Sequence, residues 1–316
     1  MLKRLWLIFG PLLVAGVLVL LLIFFYPSSK SHNLMEEKYS AASISAESFK
    51  ERSQKVRALT DPDMRFIPFF GSSEWIRFDS MHPGVLAEKY NRSYRPYFMG
   101  QAGAASLSQY FGMQQITSEL ENKQAVFVIS PQWFTKEDQD PVTFQTYFNN
   151  DQLTAFLENQ SGDAASQYAA NRLLKQNPGV SMKSIVEKLA KGEKLSEFDQ
   201  SMINISSQLN EKQSAIFGQF SIRGRLKYKD HIEKYLSSLP DQFSYEELEN
   251  IARKEGEENT TNNDLGMENH FYNTQIKKDL KKWEGYQKNY NFLQSREYND
   301  LQLVLNQFAK SKVNVL

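Results

Sequence analysis

The sequence predicts an α/β protein built on a parallel sheet, with a helical insertion and one hydrophobic helix in front. Three observations carry that prediction. Short apolar runs of strand length, Arg65-Phe-Ile-Pro-Phe-Phe70, Tyr94-Arg-Pro-Tyr-Phe-Met99 and Ala125-Val-Phe-Val-Ile-Ser130, alternate with segments of helical length, the pattern of a parallel sheet with crossover helices. The runs are apolar at nearly every position, as strands are when both sheet faces are covered. Each run also ends in turn-forming residues: Gly71-Ser72-Ser73-Glu74, Gly100-Gln101-Ala102-Gly103 and Ser130-Pro131-Gln132-Trp133.

The first element is the hydrophobic one. Leu5 to Tyr26 contains no charged side chain, and a bilayer core takes about 20 apolar helical residues to cross. A secretory signal has a shorter apolar region, of about 7–15 residues, with small residues directly after it. Here Pro27-Ser-Ser-Lys30 follows, so residues 1–26 are read as an uncleaved anchor. Lys3 and Arg4 precede the span and hold the N-terminus in the cytoplasm, which makes a single-pass plasma-membrane protein with an extracellular ectodomain. That ectodomain carries 35 basic and 37 acidic residues. Residues 27–64, polar and mixed in charge, read as a juxtamembrane linker or helix, and residues 65–316 as the α/β domain.

Within the domain, Pro83 to Asn91 and Ser106 to Asn122 have helical length, the latter with Leu107, Tyr110, Phe111, Met113 and Ile116 on one side. Phe148, Leu153, Phe156 and Leu157, then Ile185, Leu189, Leu195 and Phe198, recur at helical spacing. They open a helical insertion over about 144–290. Residues 241–266 are acidic and amide-rich and read as a solvated loop. From Lys277 a helical pattern resumes, with Trp283, Tyr286 and Tyr290 on one buried face, and Tyr298 to Ala309 forms a further helix. Ser311-Lys-Val-Asn-Val-Leu316 has the character of a next buried strand just beginning, so the expectation is a domain truncated at its C-terminal side.

Composition narrows the chemistry. The 316 residues are 41% hydrophobic and 13% aromatic, enough for a large core and incompatible with a disordered or collagen-like chain. With 37 basic and 37 acidic residues there is no basic surplus for nucleic acid. The absence of cysteine removes thiol catalysis, cysteine-bound zinc and disulfides. The four histidines, His32, His82, His231 and His270, show no motif such as HExxH, so a metalloenzyme is not expected.

Function in an open parallel sheet gathers at the carboxyl ends of the strands. A serine on a Gly-preceded turn there can act as nucleophile while its backbone N–H donates to an oxyanion, and a glycine and a side-chain amide on neighbouring loops can add two more donors. On spacing alone Ser72 and Ser73 read better as helix caps; the coincidence of three such strand ends shifts the balance to the catalytic reading.

The order Gly-x-Ser, then Gly, then an amide resembles the SGNH/GDSL hydrolases. More closely, Phe69-Phe-Gly-Ser-Ser-Glu-Trp75, Asp79-Ser-Met-His-Pro-Gly-Val-Leu-Ala-Glu-Lys-Tyr90, Gly100-Gln-Ala-Gly103, Ser130-Pro-Gln-Trp-Phe134 and Thr261-Asn-Asn-Asp-Leu-Gly-Met267 are similar to the DltD family, membrane-anchored proteins of teichoic-acid D-alanylation in Gram-positive bacteria. The resemblance implies a three-layer, flavodoxin-like SGNH-hydrolase fold. It implies Ser73 as nucleophile, Gly103 and Gln132 as the oxyanion hole, and Trp75 and Trp133 as candidates for the acyl pocket, although aromatic residues beside a strand end are commonly core. The implied activity is transfer of D-alanine, through an acyl-serine, to a hydroxyl of lipoteichoic acid, chemistry that needs no metal or cofactor. The implied partners are lipoteichoic acid, a D-alanyl carrier protein and the multi-span membrane O-acyltransferase of the same pathway.

The family's base, an Asp-x-x-His, does not occur after residue 143 and is expected beyond Leu316. Asp79-Ser80-Met81-His82 has that spacing but follows Ser73 too closely to sit on a late loop. His231 and His270 read as polar surface residues of the insertion. Two other functions stay open: a membrane-tethered binding or assembly factor that performs no chemistry, and a cell-wall O-acyl esterase.

Overall fold

The computed structural model describes residues 2–25, 31–218 and 223–316. The three expected strands form, as β1 (Arg65–Gly71), β2 (Tyr94–Gly100) and β3 (Gln124–Phe127), and the closing residues add β4 (Asn314–Val315). All pairings are parallel, in the spatial order β2-β1-β3-β4. That order is the start of a doubly wound sheet, in which the crossovers reverse direction between β1 and β3.

Strand alternation assigns the two faces. Phe66, Phe70, Tyr97, Met99, Ala125 and Phe127 enter the main core with the helices Ser106–Gln114, Asn150–Asn159 and Arg296–Lys310. Ile67, Phe69, Phe98, Val126 and Val128 point the other way, onto Trp75, Phe78 and Ile44. Phe308 of the last long helix meets Phe70 and Phe127 with ring centroids 5.5 and 5.9 Å away, at tilted angles favoured by aromatic quadrupoles. Both faces are thus covered, as the continuous apolarity of the strands requires.

Residues 34–59 are three helices, Leu34–Ala41, Ala46–Lys50 and Arg52–Leu59, and they belong to the α/β body instead of spacing it from something else. Ala41, Phe49, Ala58 and Leu59 are buried in it, on a segment whose polar residues hide the apolar period. Tyr245–Asn259, within the stretch expected to be a solvated loop, is a helix. Ser244 caps it, Glu246 and Glu247 occupy its first turn, where carboxylates oppose the helix dipole, and Arg253 pairs with Glu249 one turn back. Conversely, the helix expected from Lys277 reduces to Leu280–Trp283. Gly285 at φ 68° and Asn289 at φ 65° break it, leaving Trp283 and Leu293 exposed.

Leu2–Phe25 is one 24-residue helix. Its side chains are described continuously from Trp6 to Val19, and Leu7 and Leu12 are 71% and 70% exposed. Among the described residues no helix is long and apolar enough to cross a membrane. Tyr26 and Pro27–Lys30, where the expected span ends, lie outside the described residues.

Candidate active site

The three turns expected to carry chemistry are neighbours because their strands are. β1 and β2 run in register to their ends, Gly71 opposite Gly100, and Phe70 lies opposite Phe127 of β3. The Ser72–Ser73 turn therefore sits at the carboxyl edge where the winding reverses, the usual position of a ligand crevice in such sheets.

Beyond Gly71 the chain turns into a short 3-10 helix, Ser73–Ile76. Ser72 does not cap it: its buried hydroxyl donates to the Gln101 carbonyl at 3.0 Å, tying the β1 turn to the β2 turn, while its N–H donates to Glu74 Oε1. Ser73 is half-buried, and its hydroxyl has no hydrogen-bond partner among the described residues. The two turns touch so closely that a Cβ on Gly100 would lie 2.6 Å from the Ser72 carbonyl oxygen and 2.2 Å from Trp75 Cδ1. Trp75 is buried against Phe69 and Phe98, with its indole N–H donating to the Phe70 carbonyl.

Gly103 adopts φ 77°, a conformation that a Cβ disfavours. Its carbonyl accepts Gln139 Nε2 at 3.0 Å; its N–H makes no hydrogen bond among the described residues. Gln132 is exposed, on the 3-10 turn Pro131–Trp133, and its side-chain amide is likewise without a partner there. Trp133 is half-buried and packs on Phe127, its buried indole nitrogen having no acceptor.

His82 and Asp79 do not form a dyad. Asp79 Oδ1 accepts the Met81 N–H. His82 is buried, its Nδ1 accepting the Gly84 N–H and its Nε2 3.2 Å from the Trp75 carbonyl, which makes Nε2 the protonated nitrogen. Burial pushes its pKa down to about 4, so it is a neutral helix cap under the Ser73 turn. His231 is not the surface residue expected; it is half-buried and stacked on Phe78, with centroids 4.1 Å apart. His270 is exposed.

Several residues that fix this site escaped sequence reasoning. Gln109, fully buried, donates through Nε2 to the carbonyls of Gly71 and Met99 and so clamps the ends of β1 and β2. An amide set amid Leu107, Tyr110, Phe111 and Met113 of Ser106–Gln114 was the available signal. That helix has no side-chain cap of its own; Glu297, from a distant helix, accepts the Ser106 N–H at 2.9 Å, and burial pushes its carboxyl up to about 8. Gln139 bridges the Gly103 carbonyl to Ser108. Beside it, Asp138 is held by Arg172, which also grips Asp300, and that pairing keeps the Asp138 carboxyl down at about 2 against the opposing effect of burial. A cleft of about 920 Å³ opens past the 3-10 turn, lined by Arg77, Asp79, Glu255, Glu268, His270 and Phe271 among others.

A family model described as DltD protein matches residues 41–316. The chain is similar to "Protein DltD" of Lacticaseibacillus rhamnosus, 35% identical over 99% of this chain and 74% of that one. It is also similar to "Protein DltD" of Bacillus subtilis (strain 168), 26% identical over 94% of this chain and 75% of the relative, and of Staphylococcus aureus (strain NCTC 8325 / PS 47), 25% identical over 94% and 74%. With the match running through the sheet, the Ser73 turn and the helices packed around them, this chain belongs to the DltD family.

Proposed function

We propose that the chain is a membrane-anchored, extracytoplasmic serine acyltransferase of SGNH type that transfers D-alanine to lipoteichoic acid. The observation that carries this reading is the placement of Ser73. It lies at the carboxyl edge of the sheet where the winding reverses, its hydroxyl unengaged, between two turns whose Gly103 N–H and Gln132 amide are unengaged too. Ser73 Oγ would attack the D-alanyl carbonyl, the bond to the donor's oxygen or sulfur would break, and the acyl-serine would pass its D-alanyl group to a polyol hydroxyl. Gly103 and Gln132 would donate to the tetrahedral oxyanion. None of the four histidines hydrogen-bonds Ser73, so proton removal calls for a base that they do not supply.

The run Leu5–Tyr26, free of charged side chains in the sequence, supports the anchor, and Lys3 and Arg4 an N-terminus in the cytoplasm. A D-alanyl carrier protein and the pathway's multi-span O-acyltransferase are the proposed partners. A second reading, a membrane-tethered factor that binds without reacting, is favoured by one observation: among the described residues no histidine hydrogen-bonds Ser73.

In cells whose D-alanylation depends on this protein, Ser73→Ala should abolish D-alanine incorporation while the protein still folds and reaches the membrane. Gln132→Ala should lower the rate by about 10²–10³, the usual loss for one oxyanion donor. Wild-type incorporation by Ser73→Ala, with no acyl-serine trapped at that position, would leave the binding-factor reading standing.

A further inference from the structure

Three ligand-forming side chains meet well away from Ser73, where the body begins. His32 Nδ1 lies 3.0 Å from Glu37 Oε1, and Asp61 joins them, with one ligand atom from each of the three residues within 4.8 Å of the others. They come from separate places: His32 precedes the helix Leu34–Ala41, Glu37 is in its first turn, and Asp61 stands in the turn between Arg52–Leu59 and β1.

The independent sign of a ligand is Glu37 itself. It is 2% exposed, yet its Oε2 is buried with no hydrogen-bond partner. Asp61 spends Oδ1 on the N–H groups of Asp63 and Met64, which leaves Oδ2 available. Two carboxylates stand beside each other, one of them buried, and need a shared proton or a cation between them, because burying one ionised against the other costs several kcal/mol. A positive species between them removes that cost. The half-exposed His32 ring adds a neutral nitrogen ligand and leaves a solvent-facing side where water can complete a coordination shell.

We propose that His32, Glu37 and Asp61 bind one divalent metal ion of the zinc class. A single imidazole with two carboxylates is a mixed nitrogen–oxygen set that suits this class, and the ion's two charges balance the two carboxylates. Atoms now up to 4.8 Å apart would draw in toward the spacing of about 3.4 Å that ligands about 2.1 Å from a tetrahedral ion adopt. The ion's role is mechanical: it clamps the segment that follows the N-terminal helix to the turn that feeds β1, fixing how the body hangs from that helix.

The test uses the purified full chain, stripped with a chelator and titrated with ZnCl₂ by calorimetry, with thermal unfolding alongside. One ion per chain should bind saturably and raise the unfolding midpoint. His32→Ala and Asp61→Asn should each weaken binding by at least about tenfold and remove the thermal shift. His32→Ala removes an exposed side chain and keeps the test valid should Asp61→Asn unfold. Absence of saturable one-to-one binding, or binding that His32→Ala leaves unchanged, overturns the proposal and leaves Glu37 and Asp61 as a pair joined by a proton.

Discussion

Replacing Arg172 by Met should remove the brace on Asp138, next to the Gln139 side chain that holds the Gly103 carbonyl. Arg172 Nε lies 2.8 Å from Asp300 Oδ1, and one terminal nitrogen 2.7 Å from Asp300 Oδ2. The other side of the guanidinium grips Asp138 at 2.6 and 2.8 Å. Asp138 keeps Lys175 at 2.7 Å after the change, and it is partly exposed, so its loss is small. Asp300 is 1% exposed and keeps only the Tyr168 hydroxyl at 2.9 Å. Breaking a buried pair from one side costs about 3–5 kcal/mol. An independent ceiling comes from protonation: neutralising a carboxyl of ordinary pKa about 3.9 at pH 7 costs about 4 kcal/mol, and the variant can always take that route. The two figures agree. In the variant the folded Asp300 would hold a proton that the unfolded chain releases, so the loss should grow as pH rises from about 4 to 7, near 1.5 kcal/mol at pH 5 by the same arithmetic. Urea unfolding of wild type, Arg172→Met and Arg172→Met with Asp300→Asn, at pH 5 and pH 7, measures this. The double variant should recover much of the loss. A loss under about 1 kcal/mol at pH 7, or one independent of pH, refutes the reasoning.

Three further outcomes are expected. Ser72→Ala removes the hydrogen bond to the Gln101 carbonyl and should cost about 1 kcal/mol of stability with most D-alanine incorporation retained, separating its structural role from that of Ser73. Gly100→Ala should destabilise by at least about 1–3 kcal/mol, the usual range for overpacking, because the added carbon meets backbone at 2.6 Å; a normal unfolding midpoint would contradict the close approach of the two turns. Lys55 is fully buried and burial pushes its amine down to about 7, while Nζ donates to Phe49 O and Gln115 Oε1. Between pH 7 and about 10.5 the unfolded chain binds the extra proton, so this residue should add stability as pH rises, by up to about 1.4 kcal/mol per pH unit; Lys55→Met should flatten that slope, and parallel pH curves would count against it.

The strands, the parallel sheet and the three turns beyond the strands were legible because each depends on local signals: apolar runs of strand length, and Gly or Pro where the chain must turn. The same reasoning missed the helix Tyr245–Asn259, which has a cap, dipole-opposing carboxylates and i,i+4 pairs and only a narrow apolar face, Leu248 with Ile251. It also overextended the helix after Lys277, where Gly285 and Asn289 take positive φ. The closeness of the Asp79–His82 pair to Ser73 argues against it as the base, and only the fold shows why it is inert, with both ring nitrogens of His82 occupied by backbone.

By itself the sequence determined the class of the molecule, through the alternation of strand-length and helix-length segments, and the identity of the residues at each strand end. Which of those residues meet was decided by tertiary structure alone. That the strands leading to Ser73, Gly103 and Gln132 lie side by side follows from the order β2-β1-β3, and nothing local to the three segments specifies it. Gln109, Glu297 and Arg172 act on backbone or side chains between 10 and 191 positions away. His32, Glu37 and Asp61 likewise meet only because a helix end and a turn pack together. Hydrogen bonds and ion pairs of this kind are short-ranged in space and indifferent to sequence separation, so no periodicity records them.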